Sequence, residues 1–535
     1  MIEQQVGFVL AAVAVVVVGS LVARRLGVPV PVVLVLAGLG YALLPGRNVE
    51  LDPDVVLVVV IPPLLYAAAI EASLVDIRAN RRPIASLSVG LVLATAFAVG
   101  GVLAAVVPAV PIAVALALGA AVAPPDPIAA LGVARRAGLP PRLLTLVEGE
   151  GLLNDATALT MYQVAVAAAT GAGFSMLRAS GQFALAALGG IVTGLAVAWL
   201  ARQLYRRLDD PLLETAMSLA TPFAAYLLAD EIGASGVLAV VVAGLWISHS
   251  SPTVISAATR LQALSVWRLV ALLLEGLVFL LIGQQVPVVL GGLDDVDPTH
   301  TVLACVLTLA AVLLVRPVWL YLMVHLPGRL LGENSRTLGG RELVALSWAG
   351  TRGVITLAAA FALPLTVDGG QPLPGRELLL LCAYLVVLVT LVGQGLTFGP
   401  LLRLLGLRDD RAGRLRARGE ARVAATEAAL RQLDDMADDG FDADVVERVR
   451  EDSERRLHRR KERLRLLDRT DADGDGARPA AAMAAVAELR RALLQAERRE
   501  LLRRRDTGLL RDADLRSLQR ELDHEERLLS RDPPA

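Results

Sequence analysis

Seven ionisable side chains of this chain read as lying at membrane depth, within long apolar runs: Asp126, Glu148, Glu150, Asp155, Glu275, Arg316 and Arg352. A charged group surrounded by hydrocarbon costs about 3 kcal/mol or more unless it is paired or hydrated, so its first reading is functional. Glu150 and Asp155 are the most telling, because they share one apolar segment with Asn154 and Thr157. That stretch is rich in oxygen, which a hard monovalent cation prefers as ligand. On a helix, Glu150 and Asn154 are four apart and share a face, as do Asn154 and Thr157 at three apart. Asp155 lies about 140° round the axis from Glu150, at roughly 100° per residue. The two carboxylates therefore point in different directions and have different tasks.

One carboxylate can hold either a proton or a cation, and the two then compete for it. Joined to access from alternate sides, that competition is an exchange mechanism. We assign it to Asp155, with Asp126 beside it, and give Glu150 the buried arginine Arg316 as partner. Glu148 lies near the end of its segment and reaches water, and Glu275 is a packing or counter-charge residue.

The elements that must carry these residues follow from composition. The 535 residues are 55% hydrophobic, with a mean hydropathy of +0.58. Apolar runs dominate to about Leu405, after which Arg, Asp and Glu prevail and Phe441 is the sole aromatic residue. The chain divides into a membrane region, residues 1–407, and a soluble tail, residues 408–535. The net charge of -1 averages two unlike parts and identifies no partner. Cys305 and Cys382 sit in apolar runs and read as small core hydrophobes, with no disulfide framework. The first run lacks a preceding basic residue and is followed by Arg24-Arg25, so it reads as a retained span rather than a leader.

Thirteen hydrophobic segments can be counted, at about 5–23, 28–45, 55–72, 83–107, 111–134, 143–170, 179–202, 211–230, 234–249, 265–290, 301–325, 342–366 and 376–404. Each approaches the ~20 residues that a helix needs to cross the hydrocarbon core. Only helices satisfy their own backbone there without a closed barrel, so an all-α polytopic membrane protein is expected. Alternate loops carry sixteen arginines against three, which places the N-terminus outside and the charged tail in the cytoplasm.

Two of these segments are interrupted. Pro124, Pro125 and Pro127 flank Asp126 in the fifth, and Gly350-Thr351-Arg352-Gly353 lies in the twelfth. Proline lacks a backbone donor and clashes with the preceding turn, so the fifth helix cannot continue. If spans 1–6 and 8–13 are inverted repeats with span 7 as linker, each break falls in the fifth helix of its six. Paired interrupted helices in corresponding places point to a secondary transporter with its site at the repeat interface.

Four motifs carry a resemblance: Pro62-Pro63-Leu64-Leu65-Tyr66, Pro125-Asp126-Pro127, Glu150-Gly151-Leu152-Leu153-Asn154-Asp155-Ala156 and Gly350-Thr351-Arg352-Gly353. In this order and spacing the membrane region resembles the monovalent cation:proton antiporter-1 family, the sodium/proton exchangers, in their bacterial form. The resemblance implies a homodimer in the bacterial inner (plasma) membrane, with an elevator-like core moving against a dimerisation scaffold and crossing interrupted helices. It implies Asp155 as the carboxylate that takes Na+ or H+, with Asn154, Asp126, Thr157 and the Pro125 carbonyl around it. It implies electroneutral one-for-one exchange, marked by Asn154, and a role in pH and cation homeostasis. Glu150 would pair with Arg316, and Asp126 and Arg352 would compensate helix ends at the crossing. Gly151 stands where the family often has Ser, Pro125 where many members have Thr, and Ala67 where an acid is common. The site is thus poorer in oxygen than the usual pattern, and K+ or Li+ stays open beside Na+. No cofactor is expected beyond the transported ions.

The tail reads as helices at about 414–436, 442–467, 480–505 and 512–529, with Leu, Val and Ala at helical spacing among mixed charges. Asp471-Ala472-Asp473-Gly474-Asp475-Gly476 begins like a calcium loop, but its twelfth position is Ala482 and the bidentate acid is missing, so it reads as a linker. The arginine runs are balanced by nearby acids, which argues against nucleic acid as a partner and for membrane lipid around the spans and a solvated tail. The regulatory ligand of the tail, if it has one, is not encoded legibly. The readings from other classes are an intramembrane aspartyl enzyme built on Asp126 and Asp155, and a channel or non-transporting sensor. None of the five histidines joins a metal or catalytic cluster, and no catalytic residue is assigned.

Overall fold

The computed structural model describes residues 2–43, 55–126, 131–132, 134–135, 139–170, 176–208, 210–291, 298–325, 338–364, 366, 373, 375–407, 411–437, 442–473 and 477–507, together with positions 515, 518–519, 522–523 and 526. Pro127, the loop residues Arg47, Arg136, Asp294, Asp295, Asp297, Arg329 and Arg336, and Phe441 lie outside the described residues. So do Gly474-Asp475-Gly476 and most of the expected fourth tail helix. The chain forms two compact units, Met1–Asp409 and Asp410–Ala535.

The first unit is built of helices. Among the described residues, seven are long and apolar enough to cross a membrane: Arg81–Val106, Gly181–Tyr205, Pro211–Glu231, Gly236–Val254, Ala257–Gln284, Pro298–His325 and Arg376–Leu405. Val30–Ala42, Val56–Glu71 and Ile112–Val122 are shorter and equally apolar. Large apolar side chains such as Leu21, Leu185, Trp199, Val302 and Leu314 face outward in numbers that water would not tolerate. The helices pack by small residues where backbones meet. Val30–Ala42 and Ala257–Gln284 cross so closely that a Cβ at Gly38 or Gly283 would collide with a backbone carbonyl of the other helix.

Three features of this unit position the site. Pro141–Ala169 is one unbroken helix of 29 residues, and it carries Glu148, Glu150, Asn154, Asp155 and Thr157. Ile112–Val122 stops directly before Ala123-Pro124-Pro125, as proline chemistry requires. The twelfth segment forms two short helices, Gly340–Trp348 and Val354–Phe361, separated at residues 349–353. Among the described residues, three helices also contain a π-helical turn: Val56–Val60, Ser86–Leu91 and Val389–Gln394. Such turns shift the register of a helix by one residue and cluster at functional sites.

The second unit is helical as well. Arg411–Ala437 and Ala443–Asp473 form an antiparallel hairpin, followed by Ala477–Asp506. The hairpin is fastened by charges: Lys461 meets Glu427 at 2.7 Å, Arg450 meets Asp434 at 2.7 Å, and Arg460 donates to the Thr426 hydroxyl. The Lys461 ammonium draws the Glu427 carboxyl below the ordinary range. On the third helix, Arg503 and Arg504 hold Glu500 down to about 2.

Candidate functional site: a crossing of two broken helices

The two interruptions meet. The Asp126 amide donates to the Thr351 carbonyl at 2.6 Å, and the Thr351 hydroxyl donates to the Asp126 carbonyl at 2.6 Å. Backbone groups freed by one break are thus satisfied by the other, which is how irregular chain survives at membrane depth. Ile112–Val122 ends at this point and Val354–Phe361 begins there.

Each break also places a charge on the other's helix end. Arg352 donates from Nε to the carbonyl of Val122, the last residue of its helix, at 2.8 Å, and from Nη1 to the Gly350 carbonyl. The Asp126 carboxylate lies against Gly353, at the N-terminus of Val354–Phe361, where a Cβ would overlap its Oδ2. A cation at a C-terminus and an anion at an N-terminus are the favoured pairings with the helix macrodipole. The Arg352 amide is taken by the Thr390 hydroxyl at 2.9 Å, from within a π-helical turn. Arg352 is 2% exposed, so these contacts take the place of water.

Glu150 and Arg316 form a two-pronged pair. Nη2 donates to Oε2 at 2.8 Å and Nη1 donates to Oε1, while Nε donates to the Leu346 carbonyl at 2.8 Å. Both side chains are almost fully buried, at 1% and 2% exposure. Leu146, Val147, Leu320 and Leu346 line the apolar cluster that adjoins the pair. The planar guanidinium suits this geometry in a way a lysine would not. Leu346 lies in the last turn of Gly340–Trp348, so Arg316 also caps the first half of the broken helix.

Asp155 and Asn154 face elsewhere. Asn154 donates from Nδ2 to the Pro125 carbonyl at 2.7 Å, which fixes the amide and leaves Oδ1 buried with no protein partner. Pro125 contributes its carbonyl to Asn154 rather than holding it free. Asp155 is 5% exposed and close enough to Asp126 for their charges to repel, and Glu275 feels the Asp126 charge from Ala257–Gln284. Thr157, at 4% exposure, lies on the same stretch of helix. The structure therefore brings Asp126, Pro125, Asn154 and Asp155 to the crossing, and gathers Glu150, Arg316 and Arg352 beside it. A buried amide oxygen without a protein partner, beside the carboxylate of the next residue, suits a transported cation rather than a resident one. Among the described residues there is no group of three His, Cys, Asp or Glu arranged to hold a resident metal.

Some contributors are not visible in the sequence. Ser88, from the π-helical turn Ser86–Leu91, donates to the Glu150 carbonyl at 3.3 Å. Thr351 and Thr390 bind backbone at the crossing. A second charge group lies at the end of these helices: Arg135 meets Glu148 at 2.7 Å and Glu71 at 3.7 Å, and Glu71 meets Arg268 at 3.1 Å. Glu148 is about a quarter exposed within that network. Hydroxyls and surface charges of this kind recur throughout the chain, and no local pattern separates these from the rest.

Residues 11–404 match the family model described as sodium/hydrogen exchanger, transmembrane. The chain is 37% identical over 532 residues to an uncharacterised Na+/H+ exchanger of Mycobacterium tuberculosis, covering 97% of this chain and 95% of that one. It is 33% identical over 399 residues to the sodium, potassium, lithium and rubidium/H+ antiporter of Bacillus subtilis, covering 72% and 59% of the two chains. The fold is similar to that of the sodium/proton antiporter MjNhaP1 from Methanocaldococcus jannaschii, with a TM-score of 0.59 and 20% identity over 76% of this chain and 99% of that one. These relatives are named as exchangers and antiporters, which leaves no place for the aspartyl-enzyme reading. By its membrane helices and by the model that spans most of them, this chain belongs to the sodium/hydrogen exchanger family.

Proposed function

We propose that this chain is a secondary transporter that exchanges a monovalent cation for a proton, with Asp155 as the carboxylate that holds either. The observation that carries the reading is the buried Asn154 amide oxygen, left without a protein partner next to Asp155 and Asp126 at the crossing. A buried oxygen of this sort costs free energy unless an ion or water completes it. The resemblance, in which Asn154 before Asp155 marks the electroneutral branch, supports one-for-one exchange. Thr157 and the remaining lone pair of the Pro125 carbonyl supply further oxygen. Glu150 with Arg316, and Arg352 at the crossing, hold the frame rather than the ion.

The architecture that fits this reading has thirteen spans arranged as inverted repeats, spans 1–6 and 8–13, working as a homodimer. The interrupted helices move with the core past a scaffold in an elevator-type cycle. The arginine asymmetry supports an external N-terminus and a cytoplasmic tail at the bacterial inner (plasma) membrane. Residues 1–407 carry out exchange in the service of pH and cation homeostasis, and residues 408–535 regulate it or support the dimer.

A potassium-selective variant is the second reading. The Bacillus subtilis relative is named for sodium, potassium, lithium and rubidium, and Gly151 and Pro125 deny the site two hydroxyls. Proton movement in proteoliposomes driven by Na+, K+ or Li+ gradients separates these cases. Asp155→Asn abolishes exchange with all of them, and normal exchange in that variant would sink the assignment.

A further inference from the structure

The only two cysteines of the chain are 77 residues apart and meet in the fold. Cys305 lies on Pro298–His325 and Cys382 on Arg376–Leu388, with their sulfur atoms 3.6 Å apart. Cys382 is fully buried, and Cys305 is 6% exposed. Both are reduced. The buried Thr308 hydroxyl, one turn beyond Cys305, borders the pair. Each cysteine lies about two turns from the start of its helix. On the orientation proposed above, that end of both helices faces outward, away from the cytoplasmic thiol pool that keeps cysteines reduced.

The two helices are also the ones that hold the broken segment. Further along Pro298–His325, Arg316 binds the Leu346 carbonyl, and on the continuation of Arg376–Leu388, Thr390 binds the Arg352 amide. A covalent tie at the cysteines therefore acts on both holders of the break.

We propose that Cys305 and Cys382 form a reversible dithiol–disulfide site, oxidised by small hydroperoxides, that clamps these two helices together and slows exchange. In the first step the Cys305 sulfur attacks one peroxide oxygen, the O–O bond breaks, and the Cys305 thiol proton leaves with the departing hydroxide, giving a sulfenic acid and water. The Cys382 sulfur then attacks the Cys305 sulfur, the S–O bond breaks, and the hydroxyl leaves as a second water with the Cys382 proton. Two thiols and one hydrogen peroxide thus give one disulfide and two waters. Sulfur loses the two electrons that the peroxide gains. The sulfurs must close from contact to about 2 Å, which draws the helices together at that level.

The test uses the full-length protein in proteoliposomes, before and after hydrogen peroxide, with dithiothreitol to reverse it. Thiols are counted by denaturing the protein in N-ethylmaleimide and weighing it intact. The reduced protein takes two labels. The oxidised protein takes none, is about 2 Da lighter, and exchanges several-fold more slowly until reduced. Cys382→Ser retains its rate after the same treatment, since a serine hydroxyl cannot resolve the sulfenic acid and the Thr308 hydroxyl satisfies the new side chain. Two labels after peroxide, oxygen adducts without loss of both thiols, or an oxidised protein that exchanges at the reduced rate each overturn the proposal. The transport reading fails separately, as absence of exchange in the reduced protein before any oxidant is added.

Discussion

Two groups of opposite charges start from carboxylates two residues apart on one helix, Glu148 and Glu150, and are built to different standards. Glu150 and Arg316 are sealed from water, share two hydrogen bonds, and use the third guanidinium direction on a helix end. One turn or less away in sequence, Glu148 joins Arg135, Glu71 and Arg268 in a network whose side chains are between about a quarter and three quarters exposed. The residue types are the same and the distances similar. What differs is the alternative open to each charge. An exposed arginine that loses its carboxylate turns to water, while Arg316 has nowhere to turn. The pair at 150 and 316 is therefore best understood as a condition of folding the crossing, and the outer network as an adjustable contact.

The sharpest way to break the comparison is to remove one partner of each pair. Glu150→Gln or Arg316→Gln leaves a buried charge uncompensated and costs about 3–5 kcal/mol, read as lost folded protein and a lowered midpoint in detergent thermal unfolding. Replacing both with apolar residues of similar volume is milder than either single change. A double variant whose loss equals the sum of the two single losses would show that Arg316 and Glu150 act independently, with Arg316 serving the Leu346 carbonyl alone.

Gly353→Ala probes the same sealed region by volume. Its new methyl meets the Asp126 carboxylate, and the overpacking costs roughly 1–3 kcal/mol, with exchange lost as Asp126 moves. Gly101→Ala, in a helix interior where nothing lies within 4 Å, is the control and unfolds at or slightly above the wild-type midpoint, since alanine favours the helix by up to about 1 kcal/mol.

Arg135→Gln costs about 1 kcal/mol or less, and that effect shrinks further at high salt. A loss as large as that of Arg316→Gln, unaffected by salt, would erase the distinction between the two groups. Smallest of all is Glu500→Gln in the tail. Arg503 and Arg504 depress the Glu500 carboxyl to about 2. Whatever that contact contributes is present above the unfolded value and is lost only as pH falls through about 2. Between pH 5 and 8 the variant and the parent should therefore show the same pH dependence of unfolding.

The positions of the two breaks were legible because their causes are local. Pro124 and Pro125 remove donors in place, and a charged residue beside glycines in an apolar run marks itself. The exchange of caps between the breaks was not legible in the residues alone. Thr351, Thr390 and Ser88 are ordinary hydroxyls until a π-helical turn or a neighbouring break presents a backbone group to them. Glu275 is an example of ambiguity: its depth was plain, but whether it comes within reach of the Asp126 charge depends on how Ala257–Gln284 is packed.

The sequence by itself determined that this is a helical membrane chain with a charged tail, where two of its helices must stop, and which side chains would be costly to bury. These follow from hydrophobic runs, proline stereochemistry and the expense of charge in hydrocarbon, all set within a few residues. Only the tertiary structure decided that Arg316 meets Glu150 across 166 residues, that each break caps the other's helix, and that Cys305 and Cys382 touch. A pairing over such separations depends on helix rotation and register, and those are fixed by the packing of every neighbour rather than by the residues that pair.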